Sequence, residues 1–159
     1  MPALDIAAYK PPDVIPRWTD VSEWPLAFAR SPQVISDDEL RAYLQEADEF
    51  LKRIHHPYWA LVDLRPIQHA PPIQRKMMAE AEQRWRHLAG AAQLQVQVVL
   101  LEGSLQRGLV TAVRWLSKLP YPERIMGDEA SARRWLREHM RERGVDESRL
   151  PSPHAGAGR

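Results

Sequence analysis

Cysteine is absent from all 159 residues. That excludes disulfides, thiolate zinc sites and a cysteine nucleophile together. It also suits a reducing compartment, so a cytoplasmic location is expected. Net charge is nearly absent as well, at +1, and nothing global draws the chain to nucleic acid or an anionic membrane. No window comes near the roughly 18 consecutive apolar residues of a membrane span. The opening MPALDIAAYKPPD has neither a basic start nor a long apolar run, so no signal peptide is expected there. Metal-ligand spacing is missing too. His55 and His56 are adjacent and point about 100° apart at a helix end, and no third histidine or carboxylate stands at a recognised spacing. No metal and no cofactor are expected.

What is present is enough apolar chain for one core: the hydrophobic fraction is 44%, as in an ordinary globular domain. Residues 1–12, closed by Pro11-Pro12, read as a flexible lead-in. Residues 145–159, with Pro151, Pro153 and the run AGAGR, have little to bury and read as a disordered tail. One domain is expected over 13–144.

Within it, VIPRWTD and WPLAFAR read as two strands of an antiparallel hairpin. Pro16 and Pro25 lack backbone donors, so these strands should lie at an edge or start late. Ser36 and Glu39 form a capping box, followed by Leu40, Leu44, Ala47, Leu51 and Ile54 at helical spacing, with Tyr43 and Phe50 broadening the stripe. YWALVDL is the apolar run of a buried parallel strand. Pro71-Pro72 opens a second helix with Ile73, Met77, Ala81, Trp85 and Leu88 inward, and Gly90 should stop it. LQVQVVLL is a further inner strand, and a helix near Ser104 follows with Leu105, Leu109, Val113 and Leu116 on one face. ERIMG is a brief strand, and Asp128 caps a last helix with Ala132, Trp135, Leu136 and Met140 inward. The sum is an α/β fold, ββαβαβαβα, with a mixed, mostly parallel sheet.

That order of elements resembles the STAS-like group, the fold of bacterial anti-sigma factor antagonists. WALVDLRPI is similar to the family's third strand, which ends in an Asp-Leu pair. GLVTAVRWLSKLPYPERIMGDEASARRWLRE is similar to the end of diverged STAS-like sequences, where an Ala-x-x-Trp-Leu helix closes the domain. The likeness runs over about residues 14 to 143. It implies a scaffold that binds proteins and, in some members, small ligands. Antagonists of that family carry a phosphorylatable serine or threonine after the Asp-Leu strand. Here RPIQHAPPIQRK, residues 65–76, holds no hydroxyl, so the kinase-controlled switch does not transfer.

Candidate site residues are few. Asp63 stands at the end of an inner strand, where open α/β sheets place ligands, with Arg65 and His69 on the following loop. Asp63 and His69 could form an acid–base pair, although no nucleophile accompanies them and hydrogen bonding of Asp63 by its own loop is the plainer reading. Gly103, Ser104 and Arg107 sit at a helix N-terminus that could hold an anionic ligand or nucleotide, against plain N-capping by Ser104. The arginines of the last helix are interrupted by Glu138 and Glu142, and read as a solvated face. Trp18 and Trp24 flank the hairpin and, if exposed, would mark a partner surface together with Arg65 and His69. The expectation is a regulatory, non-enzymatic module with a protein partner and no nucleic acid or membrane, homodimerisation being open. A small anionic-ligand sensor is the alternative, and an enzyme built on Asp63 and His69 comes third.

Overall fold

The computed structural model describes residues 4–116 and 119–150, without the side chains of residues 105, 109 and 112–116. Five strands, β1 (Thr19–Glu23), β2 (Leu26–Arg30), β3 (Tyr58–Asp63), β4 (Leu94–Leu100) and β5 (Glu123–Met126), form one sheet in chain order. β1 and β2 are antiparallel, and every later pairing is parallel. The α/β class and the mostly parallel sheet are as the sequence implies.

β1 begins later than the expected 14–20. Trp18 takes a left-handed φ of +64°, and the Thr19 N–H turns back to the Pro16 carbonyl, so the chain is extended only from Thr19. β2 starts directly after Pro25, where a missing N–H costs the ladder nothing.

Helix α1 (Asp37–Lys52) opens with the expected box: Ser36 Oγ accepts the Glu39 N–H at 3.1 Å, and Glu39 Oε2 accepts the Ser36 N–H at 2.8 Å. Helix α4 (Gly103–Leu116) links β4 to β5, and α5 (Glu129–Glu142) closes the domain, with Asp128 accepting the Ser131 N–H. The face that α4 was expected to bury lies outside the described side chains.

α2 (Pro72–Trp85) keeps most of its expected stripe, with Ala81 buried and Met77 and Trp85 packed beside it against Leu40 and Leu44, but it exposes Ile73 and also buries Gln74, Ala79 and Glu82. Its main neighbours are α1 and α4, so its inner side bridges two helices and is broader than a single apolar stripe. Gly90, expected to stop α2, lies in a separate short helix, α3 (Ala89–Gln93). A Cβ there would sit 2.7 Å from the Leu51 carbonyl oxygen, so glycine is what lets α3 approach α1.

Strand alternation divides the core in two. Leu26, Trp59, Leu61, Val98 and Leu100 face α5 and bury Ala132, Leu136 and Met140. Ala27 and Ala60 face the other way, against Phe50 of α1, and Val99 meets Val110 of α4.

The expected tails are partly core. Leu4 bridges to Val145, the Leu4 N–H donates to the Gly144 carbonyl, and Ile6 and Val145 are buried in the α5 cluster. Domain edges set at 12 and 145 cut through this contact. Aspartates 5 and 146 each cap a short 3-10 turn beside it, so a few apolar groups suffice to order both segments. The rest of both expected tails, 1–3 and 151–159, lies outside the described residues.

Two outcomes are expected. Gly→Ala in an open helix gains about 1 kcal/mol, but Gly90→Ala should lose about 1–3 kcal/mol through overpacking. An unchanged or raised denaturant midpoint would mean that Leu51 gives way. The buried Trp59 indole donates to His139 Nδ1 at 3.0 Å, which requires a neutral imidazole there. Burial, then Arg143, hold the His139 pKa below the ordinary value. That stability is complete above the unfolded pKa of about 6.5 and is lost as pH falls towards the folded value. Between pH 7.5 and 5.5 the wild-type midpoint should fall, and that of His139→Gln should fall less. Parallel curves would refute the assignment.

Candidate functional site

Asp63 closes β3 and is 1% exposed. A carboxylate taken this far from water needs partners, and it has two arginines. Arg65 Nε and Nη2 bind its two oxygens, each at 2.9 Å, the Arg65 N–H donates to Oδ1 at 3.0 Å, and Arg30 Nε donates to Oδ2 at 3.0 Å. Burial alone would favour the neutral acid. The Arg65 side chain and N–H, then Arg30, outweigh it and hold the carboxyl below the ordinary aspartate range.

The charges continue into α5. Arg30 Nη2 reaches Glu129 at 2.7 Å, Arg133 joins Glu129 to Glu23, and Arg137 also binds Glu23. Arg30 and Arg133 lie over the Phe28 ring, each 4.9 Å from its centroid. This network ties β1, β2, β3 and α5 together. It leaves Asp63 no free oxygen for acid–base work, and His69 lines a cavity on the opposite face of the sheet. The structure therefore does not bring the expected Asp63–His69 pair together.

Gly103, Ser104 and Arg107 form a solvent-facing first turn of α4. Ser104 is not the N-cap, because Gly103 takes φ +77° and starts the helix one residue earlier. Capping falls to Gln106: its Oε1 accepts the Glu102 N–H at 2.7 Å, while Nε2 donates to the Arg65 and Ile67 carbonyls. No described group joins Arg107 to make an anion pocket.

The tryptophans expected at an open edge turn inward. Trp24 is 7% exposed, between Phe50 and Tyr58, with its indole N–H towards His56. Trp18 is half-buried and stacks on Tyr43 with centroids 5.3 Å apart. The hairpin folds against α1, and that contact consumes both rings. Arg65 is engaged by Asp63, and only His69 stands open to solvent.

A different feature emerges from the way α2 bridges its neighbours. Beneath it lies a cavity of about 190 Å³, floored by Ala29, Val62 and Val99 of the sheet. Leu40 and Tyr43 of α1, Met78 and Trp85 of α2, and Val110 of α4 wall it, and Ile67, His69 and Ala70 lie on its loop side. It exists because small side chains lie under α2 while α1 and α4 hold that helix off the sheet. Most polar groups of the lining are already bonded. Gln74 Nε2 donates to the Ile35 carbonyl and to Asp37, Arg75 to the Ala70 carbonyl, Gln97 to Glu123, and the Trp85 indole N–H to Asp48.

Tyr43 differs. It is only partly buried; its hydroxyl makes no hydrogen bond to a described residue and, since no buried side-chain polar atom lacks a partner, it reaches solvent, while desolvation, aided by Glu46, pushes its pKa up to about 12. It is a protonated donor at neutral pH. Sequence reading placed Tyr43 only in the breadth of the α1 stripe. No local spacing signals a gap that depends on where α2 rests.

Among the described residues, no three His, Cys, Asp or Glu side chains gather as metal ligands would, and no helix is long and apolar enough to cross a membrane. Compared with known proteins, the chain matches no family model, no curated protein and no solved structure.

Asp63→Asn should cost about 2–3 kcal/mol, since both arginines lose their shared charge. Urea denaturation at pH 7 measures this. A loss under about 0.5 kcal/mol, typical of an indifferent surface change, would show that the network does not hold the loop end together.

Proposed function

We propose that this chain is a STAS-like binding module, non-enzymatic and cytosolic, that takes a small apolar molecule into the cavity beneath α2. The observation that carries the reading is the cavity: an apolar, aromatic-walled space of about 190 Å³ beneath α2, open on one side. Protein interiors keep few voids larger than a water molecule, and a dry apolar cavity of about 150 Å³ is enough to admit a benzene ring. The order of elements supports the family resemblance, and ligand binding by some members of that family fits a module without turnover. An anionic ligand at Gly103, Ser104 and Arg107 has less to recommend it, because those residues face solvent in an open turn.

A protein partner is the second reading, favoured by two exposed apolar side chains at the loop end. Val34 is 75% exposed and Ile73 50%. Their segments are joined where Gln74 binds the Ile35 carbonyl, so the two belong to one region of surface beside the cavity. Such a patch suits a partner whose binding responds to what the cavity holds.

Ala29→Leu tests the first reading by filling the floor of the cavity. The variant should melt higher than wild type and lose binding of benzene or indole in ligand-observed NMR. Equal probe binding by both proteins would sink it.

A further inference from the structure

We infer that β5 is a docking edge for a second copy of this chain: two β5 strands pair antiparallel about a two-fold axis at Ile125, joining two sheets into one. The inference goes beyond the cavity-binding reading and stands whether or not the cavity is filled.

The ladder with β4 decides which backbone groups of β5 are spoken for. The Gln97 N–H donates to the Pro122 carbonyl, and the Leu101 N–H to the Met126 carbonyl. In a parallel pair, alternate residues of a strand bond the neighbour and those between them turn away. Pro122, Arg124 and Met126 therefore face β4, while the N–H and C=O groups of Glu123 and Ile125 point out of the sheet. β5 is the last strand in the order, and among the described residues no strand lies beyond it. The Ile125 side chain is 47% exposed at this edge. A row of outward backbone groups beside an exposed apolar side chain is a template for another strand.

The opposite edge of the sheet does not offer the same. β1 is irregular between Asp20 and Glu23, and the Ser22 N–H is already held by the Asp20 carboxylate at 2.7 Å. Joining β5 of one copy to β1 of the next, which would build an open filament, is thereby disfavoured. Of the edges this chain itself presents, that leaves β5. Related by a two-fold axis, the same edge meets itself, and the assembly closes at two chains.

Residue types choose the register. With the axis at Ile125, the two Ile125 backbones exchange both hydrogen bonds and the two exposed side chains meet. Arg124, whose guanidinium lies 4.7 Å from the Trp135 ring centroid, then stands opposite the second copy's Met126. With the axis at Arg124 instead, two arginines would stand directly opposite, which is destabilising. A strand of 4 residues makes a small contact, so the dimer belongs to the weak, exchanging class.

Sedimentation equilibrium of the full chain from about 10 μM to about 1 mM, the range in which weak complexes form, should show the mean mass rising towards twice that of the monomer. Ile125→Lys should stay monomeric throughout, because two like charges would meet at the axis, and should melt as wild type does at the lowest concentration. A wild-type chain that stays monomeric, or that grows beyond two copies, would overturn the inference. So would undiminished dimerisation of Ile125→Lys, which would move the contact to another surface such as that of Val34 and Ile73. Amide hydrogen exchange locates the contact without a variant. The Ile125 N–H of the monomer faces solvent and should exchange fast, whereas those of Arg124 and Met126 are bonded to β4. Raising the concentration about a hundredfold should slow Ile125 exchange severalfold, as mass action requires of a dimer, and leave Arg124 and Met126 unchanged. An Ile125 amide that exchanges alike at both concentrations would refute the edge pairing.

Discussion

A carboxylate withdrawn from water must have its charge answered nearby, and at Asp63 the answer organises the whole loop end of the sheet. Arg65 folds back onto it from two residues downstream and Arg30 reaches it from the neighbouring strand. Because Arg65 is fixed, its carbonyl is fixed, and Gln106 binds that carbonyl and the one at Ile67. The same glutamine caps the start of α4. The path from one buried charge to the loop side of the cavity thus runs through three residues. On the other side, Arg30 passes the tie to Glu129 at the start of α5. An ion pair of this kind adds little net stability over a well-packed apolar pair, but losing one partner is costly. Its value here is geometric.

The two faces of the sheet are built differently. On one, α5 lies against strands rich in large residues, with Trp59, Leu61 and Leu136 buried to the last atom or nearly so. On the other, the strands offer alanine and valine, and α2 rests on helices. Packing is thus tighter on the α5 side, and the other side holds the cavity beneath α2. Tyr43 and Trp18, stacked on each other, are among the residues that line it.

Much of this was legible in the residues. Ser36 and Glu39 announced α1, Asp128 announced α5, and β3 and β4 stood out as apolar runs, because each signal acts within a turn or a strand. What was not legible depended on tertiary position. The inner face of α2 was read only in part: the stripe of Met77, Ala81 and Trp85 lies on α1, whereas Ile73 is exposed and the polar Gln74 and Glu82 are buried as well. Gly90 is a contact point rather than a stop, which only the nearness of Leu51 reveals. Trp18 and Trp24 were placed at an open edge because the sequence shows the hairpin and not the helix it folds onto. Arg65 was singled out for a partner, yet its partner is Asp63. The cavity had no signature, since it is bounded by residues from separate segments spread between Trp18 and Tyr121.

Leu4 and Val145 are paired neighbours within the buried cluster on the α5 side. The polypeptide therefore comes into the domain and goes out of it at one spot. To any chain joined to it, the domain is a bulb on a two-strand stem, not a bead threaded between distant points. Neighbouring close ends are what make a domain easy to insert into a host. Leu4 and Val145 lie on the face opposite the cavity beneath α2, so a host sequence joined there would meet the domain away from that cavity.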